Sequence, residues 1–265
     1  MNNFIMANFM TITMAQIVDA IIPAAGYNKR LESLKITRIL PKSMIPIVGK
    51  PVLEYIVDFL VSNGINNIYI IVGNKKDTIM NYFGNGEEYG INIHYLIQEN
   101  PNGIAMALAL AKDLIESSFL CVLGDTFLPK QKITKMFETS EHKNAVVVQG
   151  VSEELNVDRI KQSCNVILGE HNLILDIIEK PQNPKSNVRG SGIYIFKKDI
   201  FDYILETEIN SSSGQKEISD TIRLLSVQNK AFYGLLDFRD VNINVADDVL
   251  LATQLALKEK LMKHD

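Results

Sequence analysis

Residues 51–73, PVLEYIVDFLVSNGINNIYIIVG, decide the fold. Leu53, Ile56, Val57 and Leu60 recur at helical spacing, with Pro51 opening the segment and Gly64 closing it. The next run, NIYIIVG, is short, apolar and bounded by turn residues, which predicts a buried strand. A helix followed by a buried strand is one unit of alternation, and the unit repeats in both directions. Upstream, IVDAIIP reads as a strand leading into a polar loop from Ala24 to Lys42. Downstream, KKDTIMNYF reads as helix, INIHYLIQ as strand, IAMALALAKDLIES as helix and FLCVLGD as strand. The fold class expected is therefore α/β: a Rossmann-like, doubly wound, mainly parallel sheet with helices on both faces.

After FLCVLGD the rhythm changes. AVVVQGV, NVILGE, LILDIIEK and SGIYIF read as strands separated by short polar breaks and by the loop PQNPKSNVRG. Helices are expected at about 198–207, 217–228 and 246–262. No linker, repeat or low-complexity tract interrupts the chain, so residues 16–265 are expected to form a single domain. Residues 1–15, MNNFIMANFMTITMA, are expected to be a poorly ordered extension, with a later start near Met14 as an alternative.

Composition narrows the function. A length of 265 residues suffices for one large domain, and 46% hydrophobic with 22% charged residues is ordinary for a globular protein. The formal net charge of −4 leaves no basic excess to neutralise a phosphate backbone, which excludes a nucleic-acid binder but not a protein that binds one nucleotide. No Lys or Arg precedes Lys29, and the N-terminal apolar run is too broken for a membrane span; a cytoplasmic location is expected. Cys121 and Cys164 lie in strand-like runs and read as two buried thiols. His94, His142, His171 and His264 lack metal-ligand spacing, so zinc is not expected.

In an open parallel sheet, ligands bind beyond the carboxyl ends of the strands. The first strand delivers the chain into AAGYNKRL, Ala24 to Leu31. Its small residues admit a phosphate while Lys29 and Arg30 supply charge; equally, it is a tight turn with two solvated cations. It has neither the dinucleotide nor the P-loop glycine signature. Pro41-Lys42 precedes the apolar stretch MIPIVGKPVLEY, more apolar than a solvated loop requires. FLCVLGD ends in Asp125, placed either to hold Mg²⁺ against a triphosphate or to cap a turn.

Six segments, Ala24–Tyr55, Gln98–Ala107, Val122–Asp125, Ile177–Pro181, Gly190–Phe196 and Glu217–Asp220, resemble in order the motifs of the sugar-1-phosphate nucleotidyltransferase family, glucose-1-phosphate thymidylyltransferases and UTP-glucose-1-phosphate uridylyltransferases included. The resemblance runs from about Val18 to Leu255. It implies the nucleotide-diphospho-sugar transferase fold, with a small sugar-binding β subregion. It further implies transfer of a nucleotidyl group, from dTTP or UTP, to a sugar-1-phosphate such as glucose-1-phosphate, with Mg²⁺ as cofactor and pyrophosphate as product.

By that resemblance, Ala24, Ala25 and Gly26 wrap the nucleotide phosphates, Arg30 contacts them, and Lys42 reaches the reacting phosphate. Asn28 and Lys29 replace the family's glycine and threonine; Asn tolerates positive φ well enough to keep the turn. Gln98 would hydrogen-bond the pyrimidine edge and Gly103 would lie against the ring. A side-chain amide offers donor and acceptor together, which suits the imide of thymine or uracil.

In IIEKP, Glu179 would accept sugar hydroxyls and Lys180 would neutralise the sugar phosphate. Because neighbours on a strand face opposite ways, these two are not expected to pair with each other. Gly190, Gly192 and Tyr194 would line the sugar pocket. Glu217 and Asp220 match the family's E-I-T-D, whereas Ser213-Gly214-Gln215 stands where some members carry R-G-E, without the arginine. Aligning Asp247-Asp248 with the family's E-D places Asn242 at the second metal position, beside Asp125, where an amide oxygen still suits a hard cation.

The family commonly forms dimers or tetramers, which leaves a homo-oligomer open. The chain ends soon after the last helix, so the left-handed β-helix domain of some relatives is not expected. Two rival readings remain at this stage: a non-catalytic sugar-nucleotide sensor, and cytidylyl transfer to a non-sugar phosphate.

Overall fold

The computed structural model describes residues 17–26, 36, 39–100, 102–211 and 213–261. The expected segments 1–15 and Tyr27–Leu31, Arg30 included, lie outside the described residues.

The first half runs β1 (Asp19–Pro23), a 3-10 turn at Lys42–Met44, the short hairpin β2 (Pro46–Ile47) and β3 (Lys50–Pro51), then α1 (Val52–Ser62) and β4 (Asn67–Val72). It continues through α2 (Lys76–Phe83), β5 (Asn92–Ile97), α3 (Ile104–Ala109) and β6 (Phe119–Val122). β1 pairs parallel with β4 on one side and β6 on the other, and β4 pairs parallel with β5. Strand side chains alternate between faces, and the core follows that alternation. Ala20 and Ile22 pack with α1 in one buried cluster, whereas Ile21 packs with α3 in another. Leu53, Ile56, Val57 and Leu60 of α1 are fully buried, as their spacing predicts. The chain leaves α1 through Gly64, whose φ of 88° is left-handed.

The second half adds β7 (Thr126–Phe127), α4 (Thr134–Ser140), β8 (Val147–Glu153), α5 (Val157–Ile160), β9 (Cys164–Leu168), β10 (Ile174–Glu179) and β11 (Val188–Phe196). It closes with α6 (Ile200–Glu206), α7 (Ile218–Ser226), β12 (Ala231–Leu235), β13 (Val241–Asn242) and α8 (Ala246–Leu261). β11 organises this half. It runs antiparallel to β8 on one edge, while on the other it meets β9 at Arg189–Gly190 and β6 at Ile193–Phe196. The nine-stranded sheet, ordered β10-β9-β11-β6-β1-β4-β5 with β8 and β12 attached through β11, is thus mixed. It is parallel from β6 to β5 and antiparallel through β11, which supplies the expected β subregion.

Cys121 and Cys164 are buried free thiols. Among the described residues, no helix is long and apolar enough to cross a membrane.

Candidate active site

The loops after β1, β5 and β6 leave the sheet on the same side and enclose a cleft of about 790 Å³. β1 lies where the strand order reverses, and such a switch point is where open α/β sheets bind ligands. Ala24, Ala25 and Gly26 line the cleft from β1, Gln98 and Gly103 from β5, and Leu123, Gly124 and Asp125 from β6. Gly124 lets the first and last of these loops touch. Its N–H donates to the Pro23 carbonyl at 3.0 Å, and a Cβ there would lie 2.9 Å from that of Ala24.

Lys42 enters from the turn that Pro41 opens, anchored by buried Met44 and Ile45. Its ammonium donates to Asp125 Oδ2 at 2.5 Å and to Asn244 Oδ1 at 2.9 Å. The Lys42 side chain is only 15% exposed, so this is a partly desolvated ion pair rather than a loose surface contact. The loop bearing Asn244 is tied to Asp125 a second time, since Ile243 N–H donates to the Asp125 carbonyl at 2.8 Å.

Lys180 supplies a second cation, and its ammonium pairs with Glu179 Oε1 at 2.7 Å. This corrects the opposite-face expectation. Lys180 lies past the end of β10 with φ of 43°, so strand alternation no longer separates the two side chains. Its N–H donates to the Ser163 carbonyl, which fixes it beside Gln162 at the cleft wall. Across the cleft, Gln98 Nε2 donates to Asn102 Oδ1 at 3.0 Å. Gly103 has φ of 106° and ψ of 162°, and a Cβ there would lie 2.4 Å from the Lys216 carbonyl oxygen. Ser213, Gln215 and Glu217 complete that wall.

Of the residues expected in the site, Glu179, Gly190, Gly192, Tyr194, Asp220 and Asn242 do not line the cleft. Tyr194 is 4% exposed and stacked on Phe196, and burial holds its phenol well above the ordinary tyrosine range. It is a core side chain, because its position on β11 faces Cys121 and Cys164 rather than the cleft. Gly192 packs against Leu123 and Thr126, under the turn that carries Asp125. Asn242 pairs across β13–β7, its amide oxygen accepting from the Thr126 hydroxyl at 3.0 Å, and it faces a small side cavity with Arg189 and Asp240. Asp220 accepts from Asn210 and does not line the cleft.

Asn244, Gln162 and Ser43 were missed from the sequence. N-I-N offers two asparagines, and only the loop geometry shows that the second reaches Lys42. Gln162 and Ser43 belong to no pattern that points at them. Among the described residues, no three His, Cys, Asp or Glu side chains gather as a metal cage.

Residues 19–241 match the nucleotidyl transferase family. The chain is 38% identical over 213 residues to the bifunctional protein GlmU of Methanocaldococcus jannaschii, covering 80% of this chain but only 48% of that protein. It is 32% identical over 253 residues to the low-salt glycan biosynthesis nucleotidyltransferase Agl11 of Haloferax volcanii, covering 93% of this chain and 68% of the relative. It is also 32% identical over 211 residues to UTP–glucose-1-phosphate uridylyltransferase AglF of the same organism, covering 78% and 83%. Among solved structures, one assigned as a glucose-1-phosphate thymidylyltransferase from Bacillus anthracis, in complex with sucrose, superposes with a TM-score of 0.80 at 26% identity, covering 90% of this chain and 94% of that one. The family match spans the cleft-lining motifs from Ala24 to Glu217, and the chain belongs to the nucleotidyl transferase family, among the sugar-1-phosphate nucleotidyltransferases.

Proposed function

We propose that the cleft transfers a nucleotidyl group from UTP or dTTP to a sugar-1-phosphate, glucose-1-phosphate first among candidates, and releases pyrophosphate. The observation that carries this reading is the convergence of Lys42, Asp125 and Lys180 at the strand ends, with the Gln98 amide on the opposite wall. A sugar-phosphate oxygen is already a nucleophile, so its in-line attack on the α-phosphorus needs no general base. No described histidine lines the cleft. Catalysis then consists of aligning two anions and neutralising their charge. Lys42 would serve the triphosphate, together with Arg30 by the family resemblance, and Lys180 the sugar phosphate. Glu179, released from Lys180, would accept sugar hydroxyls.

Both lysines carry a carboxylate partner, so the described cleft holds little surplus positive charge for two anionic substrates. A divalent cation fits that deficit. Mg²⁺ takes oxygen ligands and is often held by one or two protein groups plus substrate phosphates. Asp125 and Asn244 offer a carboxylate and an amide oxygen directed at one ammonium, a donor set of that kind. Bound Mg²⁺ would neutralise triphosphate charge; Asn244 replaces Asn242 as the residue assigned to it.

The test is pyrophosphate release from a panel of nucleoside triphosphates and sugar-1-phosphates with Mg²⁺. Turnover is expected with UTP or dTTP and glucose-1-phosphate. Silence across the panel, with nucleotide binding retained in calorimetry, would overturn the enzymatic reading in favour of a sensor. A strict preference for CTP would overturn the base assignment.

A further inference from the structure

We infer that Asp248 is a positioning residue for the reaction: its carboxylate fixes the backbone of Asn244 so that the Asn244 amide oxygen and Asp125 share the Lys42 ammonium. Asp248 stands in the first turn of α8 and is 6% exposed. One carboxylate oxygen, Oδ2, accepts the N–H of Asn244 at 2.8 Å and of Val245 at 2.9 Å. The other, Oδ1, lies 3.3 Å from the Arg159 guanidinium on α5. A third-position side chain that reaches back to the N–H groups ahead of a helix is half of a capping box, and many such residues only stabilise helix ends.

Here the capped residue has a second engagement. The Asn244 side chain, whose backbone Asp248 holds, accepts from Lys42, and Lys42 in turn holds Asp125. The segment before α8 is fixed from three directions, by the β13–β7 pairing, by Ile243 on the Asp125 carbonyl, and by Asp248. The first two orient the backbone up to residue 243. Asp248 is what fixes residue 244, the one whose side chain enters the cleft. Arg159 anchors the carboxylate from behind, so the chain of contacts runs α5, α8, Asn244, Lys42, Asp125.

The catalytic part of this inference rests on the cleft being the nucleotidyl-transfer site, and two readouts separate the two claims. The first is a double-mutant cycle of Asp248→Ala and Asn244→Ala on turnover, with Asp248→Asn as a milder variant and thermal unfolding followed in parallel. An amide cannot satisfy both the two backbone N–H donors and Arg159, so Asp248→Asn is expected to lose part of the effect of Asp248→Ala. If Asp248 acts through Asn244, Asp248→Ala and Asn244→Ala each lower kcat by ~10-fold or more with little change in the KM for the triphosphate. The double variant is then no worse than Asn244→Ala alone. Multiplicative losses, or wild-type kcat in folded Asp248→Ala and Asp248→Asn, would overturn the inference.

The second readout needs no activity: the rate at which acetic anhydride labels Lys42, followed by mass spectrometry of the substrate-free protein. Releasing Asn244 removes one of the ammonium's acceptors. Labelling is expected to speed up several-fold and equally in Asp248→Ala, Asn244→Ala and the double variant, with Asp248→Asn between. An unchanged Lys42 rate in Asp248→Asn and Asn244→Ala overturns the inference even where Asp248→Ala fails to fold. A wild-type protein that shows no turnover but gives the expected labelling pattern overturns the reaction assignment and leaves the positioning role standing.

Discussion

Adding one methyl group at Gly103 is the sharpest test of the cleft's architecture. In Gly103→Ala the new Cβ would sit 2.4 Å from the Lys216 carbonyl oxygen and 3.1 Å from both Lys216 C and N. All three neighbours are backbone, so no side chain can swing aside. Restoring even a tight contact requires the two segments to part by about 1 Å, and packing strain of that kind costs about 1–3 kcal/mol. The backbone adds a separate cost. At φ of 106° and ψ of 162° the residue occupies a region that is essentially restricted to glycine, worth about 1–3 kcal/mol for any L side chain. Together the two terms amount to about 4 kcal/mol, which in a chain of this size lowers Tm by about 8–16 °C. The displacement falls on both sides of the cleft, because Gly103 follows Gln98 and Lys216 precedes Glu217. The KM for the triphosphate is therefore expected to rise more than kcat falls. Differential scanning calorimetry with steady-state kinetics reads both. A Tm within 2 °C of wild type and an unchanged KM would refute the close approach of Gly103 to Lys216 and with it this wall of the site.

Three further outcomes are expected. Lys42→Ala leaves Asp125 and Asn244 without the ammonium they share and should cut kcat by ~10²-fold or more, read as pyrophosphate release; near-normal turnover would remove Lys42 from the mechanism. Asp240→Ala strands the Arg189 guanidinium, which is buried and bonded to both Asp240 carboxylate oxygens; a loss of about 3–5 kcal/mol in urea unfolding is expected, against little change if the pair is solvated. Burial pushes the Cys164 thiol up to about 12 and raises Cys121 as well, so neither forms appreciable thiolate at pH 8. Native protein should release no thionitrobenzoate from Ellman's reagent at that pH, and both thiols should react once urea unfolds it.

The half of the fold built from local pattern was legible in the sequence, and the half built from long-range pairing was not. Helix α1 and strands β1, β4, β5 and β6 follow from apolar spacing, because buried parallel strands and amphipathic helices each leave a periodic trace. The helix expected over 104–117 ends instead at Ala109, and the chain continues in turns to Leu114, although its residues favour helix. β12, AFYGL, carries a glycine and went unmarked; it forms because β8 offers it a parallel edge from Val147 to Val151. β11 reads as a strand from its composition, but nothing in it declares antiparallel pairing with three neighbours.

For the site, the division follows how each residue reaches the cleft. Lys42, Asp125, Gln98 and Gly103 stand at strand ends or turns beside them, where the backbone direction is set by the element and the side chain's destination can be foreseen. Tyr194 and Asn242 lie inside strands, where a one-residue change of register sends a side chain to the opposite face. Motif position specifies residue number and leaves the face open. That explains why Tyr194 turned into the core while Asn244, two residues beyond Asn242 and past the end of β13, turned toward Lys42. It also explains Glu179 and Lys180, whose pairing was excluded by a strand rule that no longer applies once Lys180 adopts a positive φ. Charge follows from that pairing. With both cleft lysines matched to carboxylates, binding of the two phosphorylated substrates we propose would displace Asp125 and Glu179 from their cations; of the two carboxylates, Asp125 lines the cleft. On the proposed reading Asp125 would then be free for a metal ion and Glu179 for sugar hydroxyls, so substrate binding itself would expose the acceptors that the proposed reaction requires.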